Sequence, residues 1–256
     1  MSTKSFEEFY YIKDESIHSV DDVITCFKLH GRKIDKYREK MFCPECHQAM
    51  LSFIPETSIR CAHLRRYGTA IHKENCSYNY KYAKKKVIKE YFESISYNAI
   101  QDKLDSAINM LCRPMTNQER TKEISLSQPE NNPMLIPEKV KENTILRSLR
   151  RKSLNVWAGN LEKDELYIFY GKVKLRVVEH EKRNSLGKLY NFYTLELYRQ
   201  NKNGDWTFRT SLYQGGNRDC INEDFIYYIA LIGSIGDKGW DIKLINKDAV
   251  KYCICE

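Results

Sequence analysis

Two spaced pairs of metal-binding side chains constrain this chain more than any other feature. Phe42-Cys43-Pro44-Glu45-Cys46 carries a C-x2-C pair, and His72-Lys73-Glu74-Asn75-Cys76 carries an H-x3-C pair. A C-x2-C knuckle turns tightly enough for both sulfurs to face one ion, and H-x3-C sets an imidazole and a thiolate about one helical turn apart. Zinc takes four such ligands in a tetrahedron. The pattern predicts a zinc site on Cys43, Cys46, His72 and Cys76, with His63 first in reserve and Cys61 as a further substitute. The competing reading, four unrelated buried residues, needs two correctly spaced pairs to arise by accident. A closed four-ligand site folds its surroundings rather than activating water, and supplies on the order of 10 kcal/mol or more. Between the pairs, Leu51 to Arg60 alternates weakly around Pro55 and predicts a small hairpin.

Over residues 35–80 the chain resembles the zinc module at the front of competence CoiA-type proteins. The likeness rests on Cys43-Pro44-Glu45-Cys46, on His63-Leu64-Arg65-Arg66-Tyr67-Gly68 and on the closing His72 and Cys76. Leu64 and Arg66 stand where the family's HFxH-like stretch has Phe and its second His. The resemblance implies a zinc-binding module. In that family a restriction-endonuclease-like nuclease domain follows, so it also implies a metal-dependent nuclease as an alternative activity. No nuclease pattern follows directly after Cys76, and the metal site alone carries over.

The chain has 256 residues, enough for one large domain or two small ones. A formal charge of +8 favours an acidic partner, most simply nucleic acid and DNA first, over a membrane surface. No apolar run reaches membrane-spanning length, and Met1-Ser2-Thr3-Lys4-Ser5 leads into acidic and aromatic residues rather than a signal peptide. These features predict a cytoplasmic protein with reduced thiols. Its 18 tyrosines offer flat faces on which bases can stack.

Along the chain, the organisation reads as α+β. Residues 1–112 form a zinc-binding module with a short aromatic strand near Phe9, a helix capped by Ser19, and one amphipathic helix over 79–111. Ile88, Phe92, Ile95, Ala99, Leu104, Ile108 and Leu111 give that helix its apolar stripe. Residues 113–150, with Pro114, Pro129, Pro133 and Pro137, read as a linker or arm. Residues 151–256 read as an OB-like β domain: three strands, a helix from Asn222 to about Gly233, then strands over 240–245 and 249–255. Gly171 inside the long first strand suits a bend.

Candidate nucleic-acid contacts fall into three groups. Arg65 and Arg66, with Lys84, Lys85 and Lys86, suggest a phosphate-facing patch beside the metal ligands. Arg150, Arg151 and Lys152 end the arm as a second basic cluster. Lys172, Lys174 and Arg176, with Trp206 and Phe208, supply cations and stacking faces on the β domain. Asp224 with Asp241-Ile242-Lys243 is the one arrangement that could hold a catalytic divalent cation. Three classes stay open: a zinc-containing, non-catalytic nucleic-acid-binding accessory factor of bacterial or phage origin; a metal-dependent nuclease; and a protein-interaction regulator in phage defence or a mobile element.

Overall fold

A computed structural model describes residues 4–113, 128–156, 162, 165–201, 203–216, 218–236 and 241–255. The chain divides into two compact units, Met1–Tyr82 with Pro114–Ser148, and Ala83–Arg113 with Leu149–Glu256.

The first unit is assembled from short strands. These are β1 (Ser5–Phe6), β2 (Glu8–Tyr11), β3 (Ser16–Ser19), β4 (Met41–Phe42), β5 (Leu51–Ile54) and β6 (His63–Arg66), with one helix, α1 (Val20–Leu29). They form two three-stranded sheets, ordered β1-β6-β5 and β3-β2-β4. Ser19 caps α1, accepting from the Asp21 amide at 3.1 Å, and Asp21 and Asp22 occupy the positive end of the helix, as the sequence leads one to expect. β5 and β6 form a hairpin, but its second strand lies at His63–Arg66, beyond the span from Leu51 to Arg60 expected to hold it. The core of this unit gathers Phe6, Phe9, Val23, Met41, Leu51 and Leu64 around Cys43, Cys46 and Cys76.

Residues 113–150, read above as a linker, contain a hairpin of β7 (Leu135–Val140) and β8 (Asn143–Ser148); residues 114–127 lie outside the described residues. Pro137 stands inside β7. That is tolerated because, among the described residues, β7 pairs only with β8, so its other edge needs no backbone donor. Met134, Leu135 and Ile136 are buried, which a solvated arm would not require.

The second unit begins with two helices where one was expected: α2 (Lys85–Ser94) and α3 (Tyr97–Leu111). Ser96 interrupts the helix, adopting extended backbone and accepting from the Ala99 amide to start α3. α3 packs on the C-terminal sheet, and the Gln101 amide donates to the Asp248 carbonyl at 2.7 Å.

That sheet comprises β9 (Arg150–Ser153), β10 (Tyr167–Arg183), β11 (Leu189–Gln200), β12 (Trp206–Gly215), β13 (Tyr227–Ile235), β14 (Ile242–Leu244) and β15 (Val250–Ile254). Its path runs β12-β11-β10-β13-β14, with β15 on β13 and β9 parallel to β10. β10 serves two neighbourhoods. Tyr167–Val173 pairs with β13, and Lys174–Arg183 pairs with β11. The switch follows Gly171, where a Cβ would meet Leu154 Cβ at 3.3 Å, so the absent side chain admits a close neighbour. The sheet curls until β12 and β14 approach each other, and Phe169, Val173, Leu175, Leu195, Leu197, Leu212, Ile229 and Leu231 fill its inside.

The expected helix over 222–233 is not there. Asn222 begins a turn, its side chain accepting from the Asp224 amide, and Tyr227–Ile235 is a central strand buried on both faces. With that helix gone, the OB order expected from the sequence does not hold. The last two strands are shorter than expected, and the start proposed at Trp240 lies outside the described residues.

Candidate metal centre

The knuckle is built first. β4 leads into Cys43, whose amide donates to the Ala49 carbonyl at 2.8 Å. The His47 amide then returns to the Cys43 carbonyl at 3.0 Å. His47 takes a left-handed backbone, φ 52°, which closes the turn behind Cys46. Its ring stacks on Tyr10 at 3.8 Å between centroids. The second pair is shaped by another turn: the Cys76 amide donates to the Lys73 carbonyl at 3.0 Å, and Cys76 begins a one-turn helix over Ser77–Asn79.

Cys43, Cys46, His72 and Cys76 are all buried, and their ligand atoms lie within 4.8 Å of one another. Cys43 Sγ and Cys76 Sγ are 3.8 Å apart, and His72 Nδ1 lies 3.5 Å from both Cys46 Sγ and Cys76 Sγ. Four donors at such spacings can hold one metal ion among them. The electrostatics agree with that use. Hydrogen bonds from Cys43 and Cys76 pull the Cys46 thiol far below its ordinary range. Burial, then the contact with Cys46, pushes the Cys43 thiol up; contacts with Cys43 and Cys46 do the same to Cys76. Sulfurs this crowded share their protons, and a bound cation is what would let all three ionise together.

The residues around the ligands lock the two pairs to each other. Glu45, in the middle of the knuckle, accepts from the Ser77 amide at 2.6 Å and the Ser77 hydroxyl at 2.7 Å. Asn132 donates to Glu45 at 2.7 Å and to the Asn75 carbonyl at 2.8 Å. The rings of Phe6 and Tyr78 lie nearly parallel to the His72 imidazole, at 6.0 and 5.7 Å. Sequence reasoning missed all four. Glu45 could have been suspected from its place inside C-x2-C. Asn132 could not, being 87 residues away.

His63 and Cys61 stay outside the cluster: Cys61 is exposed, and His63 Nδ1 bonds the Cys61 carbonyl at 3.0 Å. Arg65 and Arg66 are exposed on β6, in the first unit. Lys84, Lys85 and Lys86 open α2 in the second, where Lys86 pairs with Glu90 at 3.6 Å. The basic run at Arg150, Arg151 and Lys152 is not on an arm but on β9 against β10. Arg150 faces Glu165 at 3.3 Å, and Lys152 is only 2% exposed, so this cluster does not offer a row of surface cations. Asp224 is exposed in a turn, and Asp241 and Lys243 flank Ile242 at β14. Among the described residues, no metal-ligating group contains Asp224 or Asp241.

Lys174 comes together with Trp206, and Lys172 and Arg176 share its face of β10. Alternate residues of β10 share a face, and the register places Lys174 beside Tyr198 and Tyr198 beside Phe208. Gln200 and Trp206 form the next pair on that face, and Lys174 Nζ lies 5.7 Å from the Trp206 ring centroid. No described helix is long and apolar enough to cross a membrane. Compared with protein-family models, curated proteins and solved structures, the chain matches none.

Proposed function

We propose that this chain is a zinc-containing, non-catalytic nucleic-acid-binding protein, with DNA the favoured partner. The observation that carries the reading is the face bearing Lys172, Lys174 and Arg176 beside Trp206 and Phe208. Lysine and arginine attract phosphates, and exposed aromatic rings accept bases without demanding a sequence. The opposite face of the same strands holds the core residues Leu175, Leu195, Leu197 and Leu212, so these aromatics are not needed to fill the sheet.

Zinc is the cation that best suits the first unit. Bonds of about 2.3 Å to sulfur and about 2.0–2.1 Å to nitrogen, arranged tetrahedrally, require edges of about 3.8 Å between sulfurs and about 3.5 Å from sulfur to nitrogen. The pairs Cys43–Cys76, Cys46–His72 and Cys76–His72 have those separations. Cys43, Cys46, His72 and Cys76 would hold the ion, which supplies folding energy rather than a reactive water. Glu45 and Asn132 orient the ligand-bearing turns.

Two measurements test the reading. Elemental analysis of the purified protein should find one zinc per chain; a metal-free folded protein overturns the zinc assignment. Fluorescence anisotropy with labelled oligonucleotides should show affinity falling steeply as salt rises, with the slope decreasing by about 1 for each phosphate contact removed by Lys172→Ala or Lys174→Ala. No binding at low salt by zinc-loaded protein overturns the nucleic-acid assignment.

A further inference from the structure

We infer that the outer face of the β10–β11–β12 ribbon takes a single strand across two base-stacking platforms, one at its root and one at its tip. The inference rests on the nucleic-acid-binding reading and names the kind of strand that the face accepts. The root platform is Trp206, Tyr198 and Phe208, with the Tyr198 and Phe208 rings 5.9 Å apart. Phe192 is an aromatic candidate in the sequence, but its grouping with His180 and Tyr213 at the tip is not legible there. His180 stands opposite Phe192, their rings stacked at 4.9 Å, and Tyr213 lies 5.6 Å from Phe192.

Both platforms lie on the same side of the ribbon. His180 is six residues from Lys174 on β10, an even number, so their side chains share a face. Tyr213 pairs with Thr194, two residues from Phe192 and four from Tyr198 on β11. A solvent-facing sheet surface is ordinarily polar. Here Phe208 is 49% exposed and Tyr213 67% exposed. Six strand residues span about 20 Å, a length that several nucleotides cover. Between the platforms Arg176 provides positive charge, with Glu196 opposite it accepting from the Tyr198 hydroxyl at 2.6 Å; the pairing of Arg176 with Glu223 at 3.8 Å is solvent-exposed and can yield to a phosphate. A single strand can turn bases onto both platforms while its phosphates meet Lys172, Lys174 and Arg176. A duplex keeps its bases stacked inside and can offer only its backbone.

The test uses full-length, zinc-loaded protein and oligothymidylates of graded length, from about 4 to about 16 nucleotides, beside a duplex of the longest length. Affinity should rise until a strand reaches both platforms and then flatten. Phe192→Ala and Tyr213→Ala, changes on the ribbon surface, should weaken long strands roughly ten-fold each. They should leave the shortest strands and the salt slope unchanged, whereas Phe208→Ala should weaken every length. Tip variants that bind long strands as tightly as the parent, or a duplex bound as tightly as the single strand, overturn the inference and leave nucleic-acid binding standing. Failure of every oligonucleotide to bind overturns both.

Discussion

In the first unit, the sulfurs of Cys43, Cys46 and Cys76 sit among the buried core residues; in the second, the cluster inside the curled sheet consists of Leu, Ile, Val, Phe and Tyr. The strands differ in the same direction. Those of the first unit run two to six residues, whereas β10 runs 17. Short strands bury little area each, and at about 25 cal/mol per Å² of apolar surface a small unit struggles to offset its chain entropy. A metal ion held by the four ligands would replace the missing area with a few strong bonds. A long strand shared by two halves of a sheet needs no such help.

Removing the metal is the severest way to test that contrast. Chelation, or Cys76→Ser, should cost the first unit on the order of 10 kcal/mol and unfold it. Hydrogen exchange should show β2, β5 and β6 losing protection while β10 and β13 keep theirs. Protection retained in β5 would break the comparison. The converse experiment is Phe169→Ala, which empties the middle of the second core and should destabilise that unit by about 3–5 kcal/mol. Metal content, measured alongside thermal unfolding, should not change.

A smaller effect sharpens the picture of the first unit. Glu45→Ala removes the acceptor that ties the knuckle to Ser77 and Asn132. Metal affinity, read by competition with a chelator, should fall about 10- to 100-fold with the four ligands intact.

The smallest effect concerns Lys103 on α3. Burial pushes its ammonium down to about 8 from 10.5, although its Nζ lies 5.4 Å from the Tyr91 ring centroid. Below pH 8 the amine is charged in both folded and unfolded chains, and the burial cost is fully present. Between about 8 and 10.5 the unfolded chain binds more protons, so stability rises with pH through that window. Lys103→Met should stabilise the second unit by about 1 kcal/mol at neutral pH. It should also flatten the difference between parent and variant above pH 10.5, as measured by denaturant unfolding.

The ligand set was legible in the sequence because zinc chemistry fixes both residue type and spacing, and Cys43, Cys46, His72 and Cys76 come together as their order predicts. The strands β10, β11 and β12 were legible from alternation and from the Asn203-Gly204-Asp205 turn. Tyr227–Ile235 was not. It is buried on both faces, so its apolar run carries no alternation, and Asn222 before two acids imitates a helix start. The break between α2 and α3 was hidden because Ser96 keeps the apolar stripe nearly in phase. β7 was hidden by Pro137, whose cost depends on whether a neighbouring strand needs its amide.

The chain passes between its two units three times, at Tyr82, Arg113 and Ser148. An expression boundary drawn after residue 112 would therefore sever both. The fragment would carry α3 without the sheet it packs on, and the ligand turns without Asn132. On the ribosome the same order holds: the ligand turns emerge early, but their clasp waits for Asn132, and α3 waits for β13. Neither unit can be finished by a nascent chain that stops between them.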